Sequence, residues 1–184
     1  MSDRILVYPD PRLRQKAEPV AEITPEVRER ALGLVRLMNE GNGETGGIGL
    51  AATQVGWPVR IMVVKTPNRD GTAWEDSILV NPRVESVGPA EPEIGRGPRR
   101  VTEVAIEGCL SFPGIEVKVE RYCSISVEAK NLDGQTRWYC AEGIVARCLQ
   151  HELDHIDGIT MIDRLTPARR VAVARKLREL EERA

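Results

Sequence analysis

The sequence predicts an α+β fold in which short, mostly antiparallel strands surround one central helix, with a further helix near each end of the chain. Two observations support this prediction. Runs rich in β-branched residues, each bounded by Gly, Pro, Asn or Asp, fill the middle of the chain. Apolar residues recur at helical spacing near the start, around residue 150 and at the end. With 184 residues, 41% hydrophobic and 29% charged, the chain is predicted to form a single globular domain over 1–184.

The first and last helices, predicted over 23–40 and 166–184, share one start signal. Thr24-Pro25 and Thr166-Pro167 each place a capping hydroxyl before a proline, whose fixed φ suits the first helical position. Apolar residues then recur every three or four positions, namely Val27, Ala31, Leu34 and Met38 in the first helix and Val173, Leu177 and Leu180 in the last.

Strands are predicted for four segments, 59–65, 77–87, 115–120 and 123–143. The last segment is split by Asp133-Gly134, a pair typical of a hairpin turn. Segment 88–100 reads GPAEPEIGRGPRR, which is too rich in Pro and Gly for a regular element. We expect a surface loop there, either a tolerated insertion or a segment that borders a substrate groove or contacts another chain.

The central helix is predicted over about 142–157, with Gly158 placed to end it. One face of this helix combines four residues, Ile144, Cys148, His151 and His155. The histidines are therefore expected to face inward.

Composition excludes several classes of protein. Lys and Arg number 26 against 28 Asp and Glu, so the chain as a whole has no charge that favours nucleic acid or a membrane surface. The four cysteines show no compact disulfide spacing, and the first twenty residues show no signal or transit character. No apolar run approaches the roughly 20 residues of a membrane-spanning helix. We expect a cytoplasmic protein that is not embedded in a membrane.

The string HELDH at 151–155 contains both histidines of the chain. Residues four apart on a helix lie one above the other, with about 5–6 Å between Cβ atoms, so His151 and His155 can bind a single ion. Glu152 points roughly 100° away around the helix, where it can reach a water on that ion as a general base. Two core histidines with satisfied hydrogen bonds are the alternative, but both histidines falling in one such string favours a metal site.

A catalytic ion of this kind has three protein ligands and one position for water, and the residues alone leave the third ligand open. The candidates are the glutamates of the last helix, Cys148, and Cys109 in a Gly- and Pro-rich bend: Glu179, Glu181, Glu182, Cys148 and Cys109. Asp154 and Asp157 either accept hydrogen bonds from the ring N–H groups or are solvated helix carboxylates.

Three motifs of the chain, GIGLAATQVG at 47–56, EGCLS at 107–111 and QHELDH at 150–155, resemble in this order the signature motifs of peptide deformylase. PDPRLR near the start, NPRV at 81–84 and DRL at 163–165 extend the likeness over most of the chain. Three motifs in the right order are a highly specific signal.

This resemblance implies a role for each site residue. Cys109, His151 and His155 would bind the metal, and Glu152 would be the catalytic carboxylate. The Gln54 amide and the backbone N–H of Leu110 would donate hydrogen bonds to the formyl oxygen. The pocket for the substrate's methionine would be lined by Ile48, Ile144 and Cys148, while Gly49 would let the peptide approach closely.

The implied reaction is hydrolysis of the N-terminal formyl group of formyl-methionine on newly synthesised polypeptides, with release of formate. A metal-bound water of lowered pKa would attack the formyl carbon, and Glu152 would transfer its proton to the departing amine. By resemblance the metal is Fe²⁺, although Zn²⁺, Ni²⁺ or Co²⁺ also suits sulfur and nitrogen ligands. We expect a monomer.

The last helix is also basic, which suggests docking on ribosomal RNA, as in some bacterial relatives. Interspersed glutamates favour an ordinary solvated face instead. Two other functions are considered, an HExxH peptidase with a glutamate as third ligand and a ribosome-associated binding module without turnover.

Overall fold

The computed structural model describes residues 4–41, 46–68, 70–88, 90–91 and 99–183. Its α-helices are α1 (Pro25–Glu40), α2 (Gly143–Ile156) and α3 (Pro167–Glu181), and short 3₁₀ turns lie at Pro11–Arg14 and Ala52–Val55. The strands are β1 (Gly49–Ala51), β2 (Ile61–Pro67), β3 (Trp74–Val87), β4 (Ala90–Glu91), β5 (Arg99–Arg100), β6 (Thr102–Gly108), β7 (Glu116–Tyr122), β8 (Ser124–Lys130) and β9 (Thr136–Glu142). The paired strands are antiparallel, so the predicted α+β class is confirmed.

The main sheet has five strands in the order β1-β2-β3-β8-β9, and a separate hairpin pairs β6 with β7. Within the sheet, β2 is buried on both faces, because Ile61 and Val63 pack with α1 whereas Met62 and Val64 pack with α2. Helix α2 therefore lies between the main sheet and the β6–β7 hairpin. That position brings residues from three distant parts of the chain to one helix.

The helix predictions are confirmed almost to the residue. Thr24 caps α1 and Thr166 caps α3, each accepting a hydrogen bond from a backbone N–H three residues on. Ala31, Leu34 and Met38 are fully buried, and Leu177 and Leu180 pack with Phe112 and Ile115 in a third apolar cluster. Gly158 follows α2 with φ of 74°, the left-handed conformation that glycine favours.

The strand predictions missed two strands and part of a third region. Strand β6 and the short β1 were not predicted as strands, although each lies beside a site motif. The irregular loop expected over 88–100 is wrong at its ends, where Ala90–Glu91 pairs with Arg99–Arg100 because extended backbone there satisfies its own hydrogen bonds. Positions 89 and 92–98 lie outside the described residues.

Candidate metal centre and active site

Three potential metal ligands meet where α2 packs against the loop that follows β6. The ligand atoms of Cys109, His151 and His155 all lie within 4.8 Å of one another, and Cys109 Sγ is 3.2 Å from His155 Nε2. Both histidines are buried and Cys109 is half-buried. One thiolate and two imidazoles are donors that suit Fe²⁺, Zn²⁺, Ni²⁺ and Co²⁺, so the residues present fit a metal ion.

Cys109 reaches the helix because the chain turns directly after β6. Gly108 ends the strand, the Phe112 N–H donates to the Cys109 carbonyl at 2.9 Å, and Gly114 has φ of 71°. Two of the other candidates for the third ligand lie elsewhere. Glu181 accepts a hydrogen bond from Tyr8, and Glu179 pairs with Arg175 on the surface of α3.

Glu107 orients the first histidine of the cluster. His151 Nδ1 lies 3.0 Å from Glu107 Oε2, which leaves His151 Nε2 to face the cluster. Of the two alternatives for Asp154 and Asp157, acceptance of a hydrogen bond from a histidine ring is wrong. Asp154 accepts hydrogen bonds from Arg121 and Arg164, and Asp157 accepts one from Arg60.

Glu107 belongs to a buried network of charges that joins the hairpin to α2. Its carboxylate accepts hydrogen bonds from Arg121 Nε at 2.9 Å and from Arg147 Nη1 at 2.9 Å. Arg121 Nη1 continues the chain of contacts to Asp154 Oδ2 at 2.5 Å. Burial alone would raise the pKa of Glu107, but hydrogen bonds from His151 and Arg121 lower that pKa to about 2. Glu107 is therefore a permanent anion beside His151.

Gln54 approaches the cluster from the other side with a fixed amide orientation. Its Oε1 accepts the Ala51 backbone N–H at 2.8 Å, so the amide nitrogen points the other way. That nitrogen donates to Ser111 Oγ at 3.0 Å and lies 3.5 Å from Cys109 Sγ. Leu110, the next residue after Cys109, lines the cleft that opens beside this cluster.

Glu152 is buried beside the cluster, and its Oε2 has no hydrogen-bond partner among the described residues. Burial raises the pKa of Glu152 to about 7, even though the positive charge of His151 acts to lower it. A carboxyl group with this pKa can accept and release a proton near neutral pH. His155 Nδ1 is likewise buried without a partner in the described part of the chain.

Gly49 is required by the close packing around Glu152. A Cβ on Gly49 would lie 2.6 Å from Glu152 Oε1 and 2.5 Å from Cys148 Sγ, so a larger residue would force one or both of these buried side chains to move. From the sequence, this glycine was predicted to let a peptide approach closely. In the structure, its missing side chain also leaves space for the carboxylate of Glu152.

One open cleft of about 520 Å³ is bordered by six of these residues, namely Gly49, Gln54, Glu107, Cys109, His151 and Glu152. The four predicted substrate-binding residues all line this cleft: Ile48, Ile144 and Cys148, predicted for the methionine pocket, and Gly49, predicted for the approach of the peptide. Burial raises the pKa of the Cys148 thiol well above its usual value, so this side chain is a neutral wall. The sequence did not indicate that several other residues line the cleft, namely Ile106, Phe112, Glu116, Arg147 and Lys176.

Comparison with known proteins identifies the family. A family model described as polypeptide deformylase matches residues 2–171. The chain belongs to the polypeptide deformylase family. The resemblance carried by the three motifs is thereby confirmed, and with it the enzyme class, a hydrolase that removes a formyl group. The deformylase family consists of metalloenzymes, in agreement with the clustered Cys109, His151 and His155.

Individual deformylases resemble the chain over nearly its full length. The peptide deformylase of Desulforudis audaxviator is 40% identical over 163 residues, which cover 89% of this chain and 93% of that protein. That of Rhodopseudomonas palustris strain BisB5 is 36% identical, covering 97% and 94%. Among solved structures, a plant peptide deformylase superposes with a TM-score of 0.82 at 29% identity, covering 98% of this chain and 89% of that one. The enzyme from Legionella pneumophila gives 0.80 at 31%, covering 99% and 96%.

Proposed function

We propose that this chain removes the formyl group from the N-terminal formyl-methionine of newly synthesised polypeptides and releases formate. The observation that carries the proposal is the cluster of Cys109, His151 and His155 at the cleft, in a chain of the deformylase family. These three residues would hold one divalent ion, which we propose to be Fe²⁺, with Zn²⁺, Ni²⁺ and Co²⁺ as other ions of suitable ligand preference. Such an ion, when bound, supplies Lewis-acid activation of water and of the formyl carbonyl.

Glu152 is the proton carrier in this proposal. It takes a proton from the attacking water, whose oxygen forms a bond to the formyl carbon, and gives the proton to the nitrogen as the carbon–nitrogen bond breaks. Its burial and its pKa of about 7 support both halves of that cycle. The products are formate and a peptide with a free amino terminus.

Gln54 and Leu110 stabilise the negative charge that develops on the formyl oxygen. The Gln54 amide is held with its nitrogen towards Cys109, and the Leu110 backbone N–H follows the cysteine directly. Because such donors are fixed before the reaction begins, losing one typically slows turnover about 10²- to 10³-fold.

The methionine side chain binds between Ile48, Ile144 and Cys148, beside Gly49. The raised pKa of Cys148 supports this role, because a neutral thiol and two aliphatic side chains suit an unbranched thioether. Extended substrate backbone can pair with the short β1 segment at the edge of the main sheet.

We further propose that the chain acts in the cytoplasm as a single-domain monomer. Among the described residues, none of the helices has both the length and the apolar character needed to cross a membrane. Contact with the ribosome through α3 stays a prediction, and fewer basic residues are available for it than the sequence suggested. Arg169, Arg170 and Lys176 donate to backbone carbonyls of the enzyme itself, and Arg175 pairs with Glu179. The exposed Arg178 and Arg183 are therefore the residues that we propose for RNA phosphates.

Replacement of the proton carrier tests the reaction. Glu152→Gln keeps the size of the side chain and removes the carboxylate, so we expect formate release from formyl-Met-Ala-Ser to fall by about 10²- to 10⁴-fold with metal content unchanged. Glu142→Gln, at the exposed start of α2, is the matched control and should keep the parental rate. Equal rates in Glu152→Gln and the parent would reject the mechanism, and internal cleavage of the peptide would indicate a peptidase.

A further inference from the structure

Ser111 is a buried polar residue beside the active site that no step of the proposed reaction uses. It lies in the loop after β6, two residues beyond Cys109, and its exposed fraction is 0%. It does not belong to the described residues that border the cleft, whereas Leu110 and Phe112, on either side of it, do. Ser111 therefore does not reach a substrate in the cleft, and any part that it has in the reaction acts through another residue.

The side chain of Ser111 contacts the amide of Gln54. Gln54 Nε2 donates to Ser111 Oγ at 3.0 Å, while Gln54 Oε1 accepts the Ala51 backbone N–H at 2.8 Å. A side-chain amide has two N–H donors and one carbonyl oxygen, all in one plane. With the oxygen held by Ala51 and one N–H held by Ser111, a single N–H is left. The nitrogen that carries it lies 3.5 Å from Cys109 Sγ, so this is the donor for the formyl oxygen in the proposed reaction.

Two contacts are needed to fix the plane of the Gln54 amide. If Ala51 alone held the oxygen, the amide could turn about that single contact, and the direction of its remaining N–H would change. The second contact, to Ser111, removes this rotation. A donor that is aligned before the reaction stabilises a developing oxyanion without reorientation, and a small misplacement slows turnover. The Ser111 hydroxyl thus fixes the direction of a donor and is not itself a donor to the substrate.

Backbone contacts from the N-terminal segment hold Gln54 and Ser111 close together. The Leu6 N–H donates to the Gln54 carbonyl at 2.7 Å, and the Tyr8 N–H donates to the Ser111 carbonyl at 2.9 Å. Leu6 and Tyr8 are two residues apart, so one short segment joins both backbones. The side-chain contact between Gln54 and Ser111 is therefore made between two backbones that are already fixed.

We propose that Ser111 is a positioning residue that aligns the Gln54 amide with the formyl oxygen. This inference rests on the proposed deformylase function and adds one residue to the group that stabilises negative charge in the transition state. A purely structural role would support the loop after β6 whether or not Gln54 is present. A positioning role requires Gln54, because Gln54 is the residue through which Ser111 acts.

The test combines Ser111→Ala and Gln54→Ala in a double-mutant cycle, with formate release from formyl-Met-Ala-Ser as the measurement. Ser111→Ala should lower kcat about tenfold, less than the roughly 10²- to 10³-fold expected for loss of a whole donor, with KM close to the parental value. In the Gln54→Ala background, the same substitution should cause almost no further loss. The metal content of every variant should equal that of the parent.

Ser77→Ala is the matched control. The Ser77 hydroxyl also pairs with a side chain, Thr66 Oγ1 at 2.8 Å, but it lies outside the residues that border the active-site cleft. This variant loses a hydroxyl contact of the same kind, so any general effect on the protein should appear in it. We expect it to keep the parental kcat and KM.

A second measurement depends neither on turnover nor on how well the variants fold. In the parent protein, labelled with ¹⁵N and loaded with Zn²⁺, the Gln54 side-chain nitrogen should have an NMR order parameter near that of rigid backbone, about 0.85. We expect this value because the amide is held at both ends. An order parameter below about 0.6 would show that the amide turns freely and would reject the proposal.

Three kinetic outcomes would also reject it. A parental kcat in Ser111→Ala would show that alignment by Ser111 does not matter. Equal losses of kcat in the parent and in the Gln54→Ala background would show that Ser111 acts without Gln54, and a loss of bound metal in Ser111→Ala would assign it to support of the Cys109 loop. Absence of formate from the parent would instead reject the proposed function, and the order parameter of Gln54 would still test its alignment.

Discussion

Helices α2 and α3 have nearly the same length, 14 and 15 residues, yet they are held in opposite ways. Eleven residues of α2 are buried, among them five charged or histidine side chains, whereas only Leu177 and Leu180 of α3 are buried. Arg147, His151 and Asp154 of α2 are paired inside the protein, whereas the charged side chains of α3 lie at its surface. The site residues therefore lie on the helix whose side chains are held by partners from other segments of the chain.

The largest expected difference concerns the arginine that joins the hairpin to α2. Arg121→Met would leave the buried carboxylates of Glu107 and Asp154 without their shared partner, so we expect the free energy of unfolding to fall by about 3 kcal/mol or more. Urea unfolding measures the change. Arg175→Met removes an exposed ion pair on α3 and should change the free energy of unfolding by at most about 0.5 kcal/mol. Equal losses in the two variants would contradict the comparison.

A smaller difference is expected at the two helix starts. Thr166 Oγ1 accepts the Arg169 N–H of α3, whereas Glu142 makes no side-chain cap for α2. Thr166→Ala should therefore lower the free energy of unfolding by about 1 kcal/mol. Glu142→Ala should leave it almost unchanged, because packing rather than capping holds α2. A larger loss in Glu142→Ala, measured by the same urea titration, would reverse this conclusion.

The smallest expected effect is a pH dependence of protein stability that arises from Asp163, in the turn before α3. Burial would raise the pKa of Asp163, but hydrogen bonds from Arg14 and Thr160 lower it below its usual value. A depressed carboxyl pKa adds stability above the unfolded-state pKa, and this stability is lost as pH falls through the folded-state pKa. Between about pH 5 and pH 3, the urea midpoint of Asp163→Asn should decline less steeply than that of the parent. Equally steep declines of the two urea midpoints would show that Asp163 does not contribute to the pH dependence of stability.

The helices could be predicted because their signals are local. Thr-Pro starts, apolar stripes and Gly158 act within one or two turns, and each marked the element correctly. Strand β6 was missed because Glu107 faces the interior, and a glutamate in a strand indicates an outward face unless its partners are known. Those partners, Arg121 and Arg147, are 14 and 40 residues away along the chain.

The site residues also divide into those that a local sequence signal predicts and those that only long-range packing determines. His151 and Glu152 were found from one helical string, but the residues alone left the third ligand open, and only the resemblance to deformylases selected Cys109. The partner of His151 is Glu107, whereas the sequence offered only Asp154 and Asp157 as acceptors, and only as one of two alternatives. Helical spacing shows which residues share a face and not what packs against it. Ile106 carried no sequence signal beyond that of an ordinary apolar residue.

The most direct measurement is the metal content of anaerobically purified protein in two cysteine variants. Cys109→Ala removes the proposed thiolate ligand, and Cys140→Ala removes an exposed cysteine outside the cluster. We predict one ion per chain in the parent and in Cys140→Ala, and a loss of nearly all bound ion, with formate release, in Cys109→Ala. A full equivalent of metal in Cys109→Ala would contradict the proposed centre.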